Sequence, residues 1–218
     1  ALLRRAAAES LPVTFQGART GVSAGAVPAG GLVVNLARLD QIGPVRRDTP
    51  AGPLVRVQAG FPLDPLRRAL RKQAPDLFFA PDPTETSASL GGMVACNASG
   101  ARSFTFGATR RHVQALTVVL ADGTVVPLAR GRDKAQGRAF RITAPDGRTA
   151  VEGTLPAYPR PDVKNVAGYF VAPDMDLVDL FIGSDGTLGA IVSLDLNLLP
   201  APAVCWGLLC FAAESERL

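Results

Sequence analysis

The sequence predicts an α+β fold in two lobes, a small α/β lobe over residues 1–75 and a larger, mainly antiparallel β lobe with flanking helices over residues 76–200. Three observations predict it. Short apolar strands near the start are followed by Leu63, Leu66 and Leu70, which share one helical face. Asp122-Gly123 and Asp146-Gly147 each sit between two β-rich runs, as a two-residue hairpin turn requires. From Ala190 to Leu199, Val192, Leu194, Leu196 and Leu198 alternate with Ser193, Asp195 and Asn197, the pattern of a half-buried strand.

The elements follow in order. Ala1 to Ser10 carries two arginines and then alanines, and reads as the end of an amphipathic helix. Leu11–Gln16 is a strand, Gly17–Pro28 a loop of small residues, and Leu32–Leu36 and Leu54–Ala59 are two further strands. Pro62–Gln73 is a helix with proline near its first turn, where the missing N–H costs nothing. These complete the small lobe. Phe78–Gly107 is rich in Pro, Gly, Ser, Thr and Ala without periodicity, and reads as a long functional loop holding one short helix. Val113–Leu120 and Val125–Leu128 form one hairpin, and Phe140–Thr143 and Thr149–Glu152 a second. The intervening Arg130–Arg138 is polar and basic, and reads as a solvated loop. Asp176–Phe181 is a short helix before the glycine-rich turn Gly183–Gly189 and the last strand.

Composition narrows the function classes. At 47% apolar and 19% charged residues, the chain has a folded composition. No apolar run approaches the roughly 20 residues of a membrane span, so no transmembrane segment is expected. The net charge of +4 is spread along the chain without a basic stripe interleaved with aromatics, which argues against nucleic acid. Cys96, Cys205 and Cys210 form no C-x-x-C pair, so neither a disulfide framework nor a cysteine-built metal site is expected. With His112 as the only histidine, no metal site is expected within the chain, and the default compartment is the cytoplasm.

Three glycine-rich segments carry the chemistry. In the first, Gly17, Gly21 and Gly25 let the backbone approach a ligand and turn its N–H groups toward an anion. Thr20 and Ser23 add hydroxyl donors, and a diphosphate suits this loop. Its spacing matches neither the Rossmann fingerprint nor the P-loop, and an ordinary flexible turn is the competing reading. The second is Pro81-Asp82-Pro83-Thr84 with the small residues from Gly91 and Gly92 to Gly100; it suits a flat, bulky ligand, or else tight helix–strand packing. The third is Gly183–Gly189.

Taken in this order, with Asn165–Tyr169 (NVAGY) and Ile182–Gly189 (IGSDGTLG), the segments resemble the FAD-binding (PCMH-type) domain of the vanillyl-alcohol oxidase superfamily. The resemblance is to the group of glycolate oxidase, D-lactate dehydrogenase and D-2-hydroxyglutarate dehydrogenase, and runs from about residue 10 to about residue 200. It implies a two-lobed FAD-binding fold. It also implies that Gly17, Ala18, Arg19, Thr20, Gly21, Val22 and Ser23 cradle the FAD diphosphate. Pro81, Asp82, Pro83 and Thr84 would lie beside the ribityl chain and flavin. Gly91, Gly92, Asn97, Ser99 and Gly100 would line the same site, with Gly107 on its far wall. Gly186, Gly189 and Ile191 would sit near the adenine. The chain departs from the family at Arg19 and Ala24, where glycine is usual, and at Asp185, where glutamate is usual.

The resemblance implies oxidation of a small 2-hydroxyacid of the lactate, glycolate or 2-hydroxyglutarate class, with electrons passed on to an acceptor. Such an acceptor would bring a cytoplasmic protein to the periphery of the inner membrane. The first loop holds neither histidine nor cysteine, so non-covalent FAD is expected. His112 reads as a surface or packing residue, and Cys96 as a small packing residue. Lys164, Asn165 and Tyr169 are candidates for the pocket border. No catalytic base is evident. Residues 201–218 are expected to begin a substrate domain, which in this family supplies the base and any metal. The alternative is a non-catalytic FAD-binding subunit or remnant that needs a partner for turnover. An NADPH-dependent reductase of cell-wall synthesis shares the fold, but the AGY and GSDGTLG segments point away from it.

Overall fold

The computed structural model describes residues 1–161, 163, 165, 168–204 and 206–211. Lys164, two residues of the NVAGY segment, Cys205 and residues 212–218 lie outside the described residues. Helix α1 (Leu2–Ala8) leads to strands β1 (Val13–Gln16) and β2 (Leu32–Asn35), a parallel pair with Val13 opposite Leu32 and Gln16 opposite Asn35. Next come β3 (Ile42–Arg46), β4 (Leu54–Gln58), α2 (Leu63–Gln73) and β5 (Leu77–Phe78). The expected long loop folds into two short helices, α3 (Leu90–Ala95) and α4 (Ser103–Phe106), and a 3-10 turn over Thr109–His112. The hairpins are β6 (Val113–Val119) with β7 (Val125–Ala129), and β8 (Ala139–Thr143) with β9 (Thr149–Thr154). Helix α5 (Val178–Phe181), β10 (Ala190–Asn197) and β11 (Leu199–Pro200) follow.

The central sheet has the order β3-β4-β10-β6-β7, and every neighbouring pair is antiparallel. Its middle strand is the last long strand of the chain. Leu194 of β10 stands opposite Val57 on one side and Leu116 on the other. The strand patterns alternate across the sheet. Val55, Val57, Leu116, Val118, Val126, Leu128, Leu194 and Leu196 are buried in one core. Leu63, Leu66 and Leu70 of α2 and Leu90, Met93 and Val94 of α3 belong to the same core. Each such side chain contributes roughly 1.5–3 kcal/mol by leaving water.

β4 and α2, read from chain proximity as parts of the small lobe, belong to the central sheet and its core. β1 and β2 pair with each other in a separate two-stranded sheet. β3 escapes the sequence pattern because Gly43 and Pro44 interrupt its apolar periodicity.

The 130–138 segment also differs from expectation at its first residue. Arg130 is largely shielded and binds both carboxylate oxygens of Asp179 at 2.7 Å, together with the carbonyl of Val113. His112 is buried, edge-on to Phe79 at 6.0 Å, with Nε2 3.0 Å from the carbonyl of Phe106. Burial draws its pKa below the ordinary 6.5, and Arg111 adds to that. Among the described residues, no helix is long and apolar enough to cross a membrane.

Candidate functional site

A groove of about 460 Å³ runs between the loop that follows β1, the α3 region and the turn into β10. All seven residues from Gly17 to Ser23 line it. So do Pro83, Thr84, Gly91 and Gly92 from the second segment, Gly186 and Gly189 from the third, and Ile191 from the strand that follows it. Three glycine-rich stretches, distant in sequence, therefore open on one space.

The remaining candidates lie outside this lining, each for a local reason. Asp82 is drawn away by Arg67 at 2.5 Å and Arg102 at 3.3 Å, and the Pro81 carbonyl accepts from Arg67 at 3.2 Å. Asn97 is buried and turns its Oδ1 inward to accept the main-chain N–H of Arg110 at 3.0 Å. Gly100 is pressed against the Asp82 carbonyl, Gly107 against the Arg111 side chain, and Ser99 is half-buried. Gly91 reaches the groove, yet a Cβ there would meet Ala59 Cβ at 2.5 Å, so its smallness also serves helix–strand packing.

The first loop is built to offer donors. Within the described residues, no protein acceptor takes the backbone N–H groups from Arg19 to Gly25. They are open to an anion, as in other backbone concavities that bind phosphate. Gln16 Nε2 closes the base of the loop on the carbonyl of Ala26 at 2.8 Å. Arg19 and Ala24 both have φ +61°, a conformation that costs an L-residue about 1–2 kcal/mol. These are the two positions where the resembling family uses glycine, and the geometry supplies the reason.

Several groove residues were not singled out from sequence. Ser89 caps α3, and its Oγ accepts from the N–H groups of Gly92 and Ala18, each at 3.4 Å. A serine just before an apolar run is a readable helix-start signal, but its second bond, to the first loop, is not. A Cβ at Gly17 would strike that same Oγ. Cys96 Sγ lies 3.4 Å from Asp185 Oδ1. Cys96 is itself exposed on the open groove, yet the protein atoms packed around it, reinforced by Asp185, push its thiol up to about 11. Cys96 is thus a protonated groove residue, not only a packing one.

Behind the groove lies a charged junction. Arg110 Nη1 donates to the carbonyl and Oδ1 of Asp179, at 2.6 and 3.0 Å, and the guanidinium also reaches the carbonyl of Ile182. Burial draws Arg110 below its ordinary pKa, against the pull of Asp179. The Phe170 ring lies between Arg110 and Arg160, 4.5 and 4.6 Å from their guanidinium carbons. The Tyr169 hydroxyl is 2.7 Å from Thr187 Oγ1, so the two signature segments meet. This contact fixes Tyr169 beside the Gly183–Gly189 turn.

Comparison with known proteins agrees with the geometry. A D-lactate dehydrogenase of Anaerostipes hadrus is 35% identical over 193 residues, covering 88% of this chain and 32% of that protein. A D-2-hydroxyglutarate dehydrogenase of Xanthomonas citri pv. viticola is 34% identical over 204 residues, covering 93% and 34%. The glycolate oxidase subunit GlcD of Escherichia coli K12 is 29% identical over 209 residues, covering 95% and 34%. The chain thus spans about a third of the length of these curated relatives. Among solved structures, an alkyldihydroxyacetonephosphate synthase shares the fold, with a TM-score of 0.63 and 18% identity over 93% of this chain and 32% of that one. Residues 1–129 match the family described as FAD binding domain. On that match over more than half its length, the chain belongs to the FAD binding domain family, and its cofactor is FAD.

Proposed function

We propose that this groove holds FAD without a covalent link, and that the protein it serves oxidises a 2-hydroxyacid to the 2-oxoacid. One observation carries the reading. Three glycine-rich stretches converge on a single groove whose first wall presents a run of unclaimed backbone donors. The donor set fits a diphosphate, and the open space beside Gly21 fits close approach of a ligand to the backbone.

When bound, FAD supplies the hydride acceptor. The chain's own residues bind and orient it. The amides from Arg19 to Gly25, with the Thr20 and Ser23 hydroxyls, take the diphosphate. Phe15, Leu36, Met93 and Ile191 give the groove apolar walls that exclude water. Cys96 keeps its proton at neutral pH, so it is a poor nucleophile toward the cofactor. Pro81, Asp82, Asn97, Ser99, Gly100 and Gly107 support the groove from behind.

The substrate class rests on the names of the relatives, which are D-lactate, D-2-hydroxyglutarate and glycolate enzymes. We assign substrate capture to a further domain entered through residues 201–218, and electron transfer to an acceptor that meets the protein in the cytoplasm or at the inner-membrane surface. Among the described groove residues the ionisable side chains are Arg19, Glu85, Cys96 and Asp185, and none is a histidine. This favours a second reading beside the first, a FAD-binding unit that turns over only with a partner supplying the base.

Purified protein reconstituted with FAD should show flavin absorption, and denaturation should release unmodified FAD. A colourless protein that cannot be reconstituted defeats the proposal. Steady turnover of D-lactate, glycolate or D-2-hydroxyglutarate with an artificial acceptor by these 218 residues alone would eliminate the second reading.

A further inference from the structure

Three walls of the groove meet at one carboxylate. Asp185 lies in the turn before β10, and its main-chain N–H donates to the carbonyl of Ala95 at 2.9 Å. Two residues earlier, Gly183 N–H donates to the carbonyl of Val94 at 3.0 Å, so the turn is seated on the end of α3. Asp185 itself has φ +52°, a conformation such seating must hold in place. Its side chain then makes two further contacts. Oδ1 accepts from the Cys96 thiol at 3.4 Å, which ties it to the residue after α3. On the other side it abuts Gly25 of the first loop, where a Cβ would stand 2.5 Å from Oδ2 and 2.8 Å from Cγ.

We propose that Asp185 is the positioning residue of the groove, its carboxylate setting how closely the first loop approaches the α3 wall by bearing on Gly25 while Cys96 holds it in place. This rests on the reading of the groove as the FAD site and adds the element that fixes its width. Without the carboxylate, Gly25 loses its stop against the α3 wall, while the loop's two ends stay held, Ala18 by Ser89 and Ala26 by Gln16.

The test uses the 218-residue chain with Cys205 and Cys210 replaced by serine, so that Cys96 is the only thiol. In the protein without cofactor, the rate of Cys96 alkylation is measured against pH. Asp185→Asn and Asp185→Ala should shift that profile to lower pH, because Asp185 raises the thiol's pKa. An unchanged profile overturns the contact. FAD is then titrated into the parent, Gly25→Ala, Asp185→Ala and the double variant. Gly25→Ala should weaken binding about tenfold in the parent and have little effect beside Asp185→Ala, a coupling within the range found for touching residues. Additive effects overturn the proposal, as does Asp185→Ala binding FAD as tightly as the parent. If the parent itself binds no FAD, the assigned cofactor site fails, while the alkylation profile still judges the Asp185–Cys96 contact.

Discussion

The first loop and the charged junction behind the groove sit close together and are built in opposite ways. In the loop from Gly17 to Ala26, consecutive amides lack protein acceptors, and two residues with side chains hold a left-handed backbone. At the junction the charges are met within the protein: Asp179 pairs with Arg110 and Arg130, and the Arg110 and Arg160 guanidiniums lie against the Phe170 ring. One region is complete in the protein alone, and the other leaves its hydrogen bonding to a ligand. The difference separates what the fold needs from what the site needs, two demands that a bare run of glycines in a sequence does not distinguish.

Mutations can break that contrast. The largest effect is expected at the junction. Asp179→Ala leaves two largely buried guanidiniums without their carboxylate and should cost about 3–5 kcal/mol in urea unfolding. A loss below about 1 kcal/mol would mean that the junction behaves like a surface ion pair. Glycine substitutions sharpen the distinction. Gly91→Val drives a side chain into Ala59 and should cost roughly 1–3 kcal/mol of stability whether or not FAD is present. Gly17→Val meets the Ser89 hydroxyl at the groove edge, and should weaken FAD binding by at least about tenfold with a smaller change in the cofactor-free melting point. Equal losses of stability from the two would erase the difference.

Smaller effects follow. Ala24→Gly relieves a backbone at φ +61° and should raise stability by up to about 1 kcal/mol, read from the denaturation midpoint. His112 tests the buried interior beside Phe79. Burial lowers its folded pKa below 6.5, so the unfolded chain binds the proton more tightly. Its contribution is whole above that pH and is lost as the pH falls toward the folded value. The melting point should fall between pH 7 and 5, and His112→Gln should flatten the decline.

Much of this molecule is legible in the residues because the relevant signals are local. Asp122-Gly123 and Asp146-Gly147 mark both hairpins, and Leu63, Leu66 and Leu70 mark α2 and its buried face. The glycine stretches of the groove are equally visible. What stays hidden depends on partners far along the chain. β4 reads as an element of the first lobe until β10, more than a hundred residues later, pairs with it. Arg130 reads as solvated until Asp179 arrives, and nothing near Asp82 in the sequence announces its pairing with Arg67 and Arg102. Ser89 and Asp185 matter through contacts with the first loop that no spacing rule encodes.

β10 forms the middle of the central sheet, and its first residues, Ala190 and Ile191, also wall the groove. During synthesis, the glycine loop leaves the ribosome long before these residues do. A nascent chain halted anywhere before Ile191 owns the donors but has no enclosure to hold a ligand against them. On the proposed reading of the groove as the FAD site, cofactor capture waits for this strand, and a chain stopped before Ile191 should retain no flavin.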